Sequence, residues 1–372
     1  MQQRFKSTST KKSYIAAAAL MTAVTVIGTD NLEACTRAVY IGANNMVITG
    51  RTMDWAEDMF SNAWIFPQGM ERDGAPGIDN SIKWTSKYGS LVVSGYESGT
   101  ADGMNEVGLV ANLLYLSESK YGDSKPGKPI LTIAAWAQYV LDNFGSVAEA
   151  VKGLQAEPFH IVTPTFPNGK SGQLHLSISD PSGDSAVFEY IAGKLVIHHG
   201  SEYRVMTNSP SYDEQIAIQT YWKNIKGMNF MPGTINAADR FVRTSFFIDA
   251  IPKQLDENTI KAVPNATYEN QAMASVRSVM RSIGVPLGVT DPDKPNLAST
   301  LWRTAYDHKN KVFYFDSATS PNTFWVPLSD LDFRKGAAVK KLTMAGGKVY
   351  AGNAASKFEP AEPFPFLTPN AK

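Results

Sequence analysis

The chain contains one cysteine, Cys35, placed directly after a stretch that reads as an export signal. A lone thiol cannot form an internal disulfide, so an exported fold built from this chain must be held without a covalent cross-link, by its packed core. The supply is ample. Of 372 residues, 43% are hydrophobic and 11% aromatic, enough for one large or two ordinary globular domains and too many for disorder. Basic and acidic residues number 35 each. This balance gives no support to a nucleic-acid partner, which needs clustered Lys and Arg to neutralise phosphates.

Arg4, Lys6, Lys11 and Lys12 open the sequence, residues 14–28 are apolar, and Asn31-Leu32-Glu33-Ala34 leads to Cys35. This is the layout of a cleaved secretory signal. The apolar run is shorter than the roughly 20 residues a membrane-spanning helix requires. Residues 1–34 are therefore read as a signal that is removed, and residues 35–372 as a single domain, periplasmic or secreted, with no stable membrane span.

Cys35 has three readings. It is a small buried hydrophobe, although a core residue at a mature chain terminus is unusual. It is a lipidated anchor, since Leu32 and Ala34 suit a lipobox while Glu33 does not; such a chain would be a binding lipoprotein without catalysis. Or it is an N-terminal nucleophile. A terminal cysteine carries its own base, because an α-amine of pKa about 7.7–8.0 sits beside a thiol of about 8.5. The amine can take the thiol proton and return it to a leaving nitrogen.

Residues 36–42 alternate in the manner of a strand, Ala43-Asn44-Asn45 signals a turn, and residues 46–55 resume the extended pattern. This hairpin brings Cys35 opposite Thr52 and Met53, between Arg51 and Asp54. Strand parity sends Arg51 and Asp54 to opposite faces, unless Gly50 marks a bulge or the strand ends there. By itself such a pair is equally an ordinary salt bridge.

With those residues in view, the sequence resembles the choloylglycine hydrolase family, which includes bile salt hydrolases and penicillin V acylases. The resemblance rests on Cys35-Thr36-Arg37, Thr49-Gly50-Arg51-Thr52-Met53-Asp54-Trp55, Asp102-Gly103-Met104-Asn105-Glu106-Val107-Gly108-Leu109, Met206-Thr207-Asn208-Ser209-Pro210 and Asp239-Arg240-Phe241-Val242-Arg243, in that order along the chain. It implies the αββα sandwich of N-terminal nucleophile hydrolases and hydrolysis of linear amides without cofactor or metal. Carried over by position, Cys35 is the nucleophile, Arg51 supports its thiolate and Asp54 holds its amine. Asn208 donates its side-chain amide to the oxyanion, Tyr115 donates a backbone N–H, and Arg240 orders the cluster from behind. The implied substrates are conjugated bile acids, penicillin V and N-acyl homoserine lactones. The Arg-Thr-Met-Asp-Trp form looks more like the Gram-negative branch, and a dimer or tetramer is implied by the family, although the segment between Asn208 and Arg240 is short for its tetramers.

From the residues themselves, Met53, Trp55, Met59 and Phe60 form a soft aromatic group suited to an apolar acyl pocket, or to ordinary core. Strand-like runs at 91–96, 108–116, 173–180, 185–199, 203–207, 301–315 and 323–328 mix with helical signals to give an α+β order. The helical signals are Ile133, Trp136, Ala137, Val140 and Leu141 at 3.6 spacing, a Ser146/Glu149 capping box, and candidates at 211–225, 237–251 and 270–283. Residues 352–372, rich in Phe and Pro, read as an irregular tail or a strap over the core. The five histidines show no metal-ligand spacing.

Overall fold

The computed structural model describes residues 35–124, 126–292 and 297–369; the expected signal lies outside them. Two sheets face one another. The first has seven strands in the order Val205–Met206, Thr36–Ile41, Val47–Trp55, Ser299–Asp307, Val312–Ser317, Thr323–Pro327, Gly352–Asn353. The second has nine, with Leu174–Ser179, Val110–Tyr115, Gly99–Asn105 and Ser90–Gly95 adjacent at its centre. Five strands position the site: β1 (Thr36–Ile41), β2 (Val47–Trp55), β3 (Gly99–Asn105), β4 (Val110–Tyr115) and β5 (Ser299–Asp307).

Helices close both outer faces, giving the four-layer αββα arrangement. Helices α1 (Ile133–Asn143) and α2 (Val147–Gln155) lie on the nine-stranded sheet. Helix α3 (Tyr212–Ile225) packs on α4 (Ala237–Ala250), and α4 and α5 (Tyr268–Ser282) lie on β1 and β2. The apolar stripe of α1 is buried as its spacing requires, with Trp136, Val140 and Leu141 all closed to solvent. Ser146 caps α2 by accepting from Glu149 N at 3.2 Å, while the Glu149 carboxylate takes Gly145 N, one residue before its expected partner.

Burial is organised as two cores. One fills the space between the sheets and continues under α4 and α5. The other lies between the nine-stranded sheet and α1 and α2. The C-terminal tail belongs to the second: Phe364 and Phe366 pack against Trp64, Phe66 and Trp84, so the segment is a strap. Among the described residues, no helix is long and apolar enough to cross a membrane.

Candidate active site

The β1–β2 hairpin turns at Asn44 and Asn45, both with positive φ (56° and 57°), a conformation that asparagine tolerates better than most residues. Its ladder pairs Thr36 with Thr52 and Arg37 with Arg51 without interruption, which sets Cys35 opposite Met53. Gly50 is no bulge, and β2 does not end there. It pairs regularly with Ala38 and Ala305, and its missing side chain admits Met280 of α5, whose Cγ would lie 2.6 Å from an added Cβ. The irregularity sits instead in β5, between Thr300 and Trp302, opposite Asp54 and Met53. Parity therefore holds. Arg51 and Met53 turn toward the second sheet, whereas Thr52 and Asp54 turn toward the helices.

On the helix side, polar atoms crowd the main chain of Cys35. Its N–H donates to Asn208 Oδ1 at 2.6 Å, and its carbonyl accepts from Arg240 Nη1 at 2.7 Å. Arg240 Nη1 also donates to Thr36 Oγ1, Nη2 donates to Asn208 Oδ1 at 2.9 Å, and Nε is tied to Ile235 O. With its oxygen taken by two donors, the Asn208 carboxamide is fixed in orientation, and its Nδ2 reaches Tyr115 O at 2.7 Å. Asp54 accepts from Thr300 Oγ1 at 2.5 Å and Thr52 Oγ1 at 3.0 Å, and lies 3.9 Å from Arg240 Nη1. The backbone N–H of Cys35 bonds the Asn208 oxygen, and the Asp54 carboxylate, which the resemblance assigns to the mature chain's α-amine, lies behind Arg240.

On the thiol side, Cys35 Sγ rests 3.8 Å from Met53 Sδ and 3.7 Å from the Asp54 carbonyl. Arg51 Nη2 lies 3.5 Å from the same Met53 sulfur. Arg51 reaches further, into a break in the nine-stranded sheet. The β3–β4 ladder runs only from Met104–Val110 to Asp102–Asn112. Beyond it the two strands are unpaired, β3 bulges at Ala101 against its other neighbour, Ser90–Gly95, and Arg51 donates to the carbonyls of Leu113 (2.9 Å) and Ala101 (3.5 Å). Its guanidinium lies over the Trp302 ring and 3.9 Å from Asp102, a carboxylate held by Thr304 and Asn112. Leu116 N–H is taken by Gln173 on the neighbouring strand, so Tyr115 N–H, alternating with it, faces the parted edge.

A narrow apolar cavity of about 60 Å³ opens from Cys35 into this break. Met53, Trp55 and Met59 line it. Phe60 does not; it has φ 48° and is 57% exposed. Not marked in the sequence are Tyr96 and Phe166, which with Trp55 and Tyr115 form a row, Tyr115–Trp55–Phe166–Tyr96, of edge and stacked contacts at 6.2 Å. These residues come from distant loops, and no local spacing marks them. Asp102 does lie within a recognisable segment, as does Asn105, whose amide secures Leu109 N and the end of α1. Thr300 carries no such signal.

Burial pushes the Cys35 thiol up from its ordinary value; Arg51 and Arg240 oppose that shift, while the Asp54 charge adds to it. Burial likewise raises Asp54 against the pull of Arg240 and its two threonines, and raises Asp102 against Arg51. Among the described residues no group of three or more His, Cys, Asp or Glu is placed to hold a metal ion.

The sequence profile of the linear amide C–N hydrolases of the choloylglycine hydrolase family matches residues 35–340. The chain is 47% identical over 352 residues to penicillin V acylase of Pectobacterium atrosepticum, covering 90% of this chain and 92% of that one. Identity to the bile salt hydrolase/transferase of Clostridium perfringens is 29% over 280 residues, 67% and 82% of the two chains. Penicillin V acylase from Agrobacterium tumefaciens superposes with a TM-score of 0.81 at 53% identity, covering 90% of this chain and all of that one. A variant of the Clostridium perfringens conjugated bile acid hydrolase, 20% identical, shares the fold with a TM-score of 0.69, over 85% and 99% of the chains.

Proposed function

Since the chain belongs to the choloylglycine hydrolase family of linear amide C–N hydrolases, we propose that it is an exported cysteine amidohydrolase whose mature chain starts at Cys35 and whose preferred substrate is penicillin V. The observation that carries this reading is the position of Cys35. Its nitrogen and its thiol share the start of β1, the nitrogen 2.6 Å from Asn208 Oδ1 and the thiol at the mouth of the apolar cavity. The narrow aromatic surround favours a compact aryloxyacyl group over a steroid nucleus. Identity near 50% to two penicillin V acylases supports the same choice.

In this reaction the α-amine accepts the Cys35 proton and the sulfur attacks the amide carbonyl, forming a C–S bond. The carbonyl oxygen becomes an oxyanion that accepts from Asn208 Nδ2 and Tyr115 N–H. Collapse breaks the C–N bond, and the α-ammonium gives its proton to the departing nitrogen. Water, deprotonated by the same amine, then splits the thioester and restores the thiol. Burial disfavours the thiolate, and the α-amine on the same residue is the base beside it. Arg51 stabilises the sulfur as it becomes anionic, and Asp54 keeps Arg240, and through it Asn208, in place. Intact mass of the purified protein combined with amine release from penicillin V tests the proposal. A chain beginning at an unmodified Cys35 that releases the amine is expected. A diacylglyceryl Cys35, or no turnover by a free one, overturns it.

A further inference from the structure

The cavity beside Cys35 is lined from three layers of the molecule. Cys35, Met53 and Trp55 belong to the seven-stranded sheet, and Ala101 and Leu113 to the parted strands of the other. Ala134 stands at the start of α1, in the outer layer, and Leu367 comes from the C-terminal strap. A pocket that passes through the break in the sheet needs an outer end, and these last two side chains lie there.

We infer that the strap, through Leu367, closes the acyl pocket and limits the length of the acyl chain that the site accepts. This rests on the proposed hydrolase reading. Leu367 is fixed by main-chain bonds that do not involve its side chain: its N–H donates to Ser98 O at 2.7 Å and its carbonyl accepts from Thr132 Oγ1 at 2.6 Å. Ser98 itself lines the cavity beside Gly99, and Thr132 lies two residues before Ala134, so the strap is tied to the same two segments that line the end of the cavity. Phe364 and Phe366 anchor it in the second core, each no more than 7% exposed. Residue 367 can thus change size while the strap stays in place. Apolar discrimination of this kind is steep, since one methylene in a fitted pocket is worth roughly 10-fold or more in specificity.

The experiment uses the full mature protein and two sets of probes, straight-chain N-acyl-4-nitroanilides for turnover and the matching carboxylates for binding, followed by tryptophan fluorescence. Leu367→Ala is expected to move the optimum of both series to chains longer by about two methylenes, and Leu367→Phe to move it to shorter ones. The readout is the ratio between long and short members, which a general loss of activity does not change. Unmoved optima in both variants overturn the inference. If the carboxylate optimum moves while wild-type protein cleaves neither the anilides nor penicillin V, the strap sets chain length as inferred, and it is the hydrolase reading that fails.

Discussion

On its main-chain side Cys35 meets partners at fixed hydrogen-bond distances, whereas its thiol looks into a cavity whose walls, Arg51 apart, are largely apolar. The first environment is over-determined. Asn208 Oδ1 has two donors, the Arg240 guanidinium has partners at all three nitrogens, and the Asp54 carboxylate has two hydroxyls and an ion pair. Hydrogen bonds specify direction, and a buried polar group left unpaired is penalised, so such a cluster has few alternative arrangements. The second environment is built from Met53, Met59 and aromatic rings drawn from two strands and two separate loops. Dispersion contacts specify shape and tolerate exchange. In the proposed reaction, chemistry therefore resides on one flank of the residue and substrate choice on the other, and substitutions on the two flanks should separate kcat from KM.

The harshest way to break this division is to alter the nitrogen itself. A variant that retains Ala34 before Cys35 has an amide there and no base, and its turnover of penicillin V should fall to background. Cys35→Ser should come close to the same loss while remaining folded, because the hydroxyl is a far weaker nucleophile. Near-normal rates in the first variant, checked by intact mass, would mean that a second base exists. Next in size, Asn208→Ala should lower kcat by roughly 10²–10³-fold with little change in KM, as expected for the loss of one oxyanion donor. A KM effect alone would move Asn208 to the substrate-choosing flank.

Trp55→Ala tests that other flank. The expected loss is roughly 10–100-fold in kcat/KM for penicillin V, carried by KM, from removal of one large apolar wall. Equal falls in kcat would show that the cavity also aligns the reacting carbonyl. The smallest effect is assigned to Thr300→Val, which deletes one donor to Asp54 at the edge of the polar cluster. About 1.5–3 kcal/mol of stability should be lost, read as a lower melting temperature, with kcat reduced less than in Asn208→Ala. The valine side chain keeps the volume, so the change in melting temperature reports the bond to Asp54 together with the one that Thr300 Oγ1 accepts from Val285 N–H at 2.8 Å.

The same contrast explains what could be read from the chain beforehand. The hairpin, the opposition of Cys35 and Met53 and the buried face of α1 all follow from local period and turn chemistry, which depend on residues near in sequence. The strands 91–96, 108–116 and 173–180 emerged close to where alternation places them. Strand parity also sent Arg51 and Asp54 to opposite faces. Each has a separate neighbourhood, Arg51 in the break of the second sheet and Asp54 beside Arg240 of α4. The break itself was not legible, because the Ala101 bulge against Ser90–Gly95 and the early end of the β3–β4 ladder depend on how three strands meet. Nor was the outward turn of Phe60, whose positive φ is set by its loop. Tyr96, Phe166 and Leu367 reach the cavity only through tertiary packing.

The fixed carboxamide of Asn208 has an electrical consequence. Arg240 places a cationic guanidinium 2.9 Å from the oxygen end of that dipole, in a region closed to solvent. A positive charge there draws electron density along the amide, which leaves the nitrogen end more strongly positive than in an isolated asparagine. The amide nitrogen that donates to Tyr115 O is thus polarised before any substrate arrives, and in the proposed reaction Arg240 acts as a distant electrode for an oxyanion it never touches.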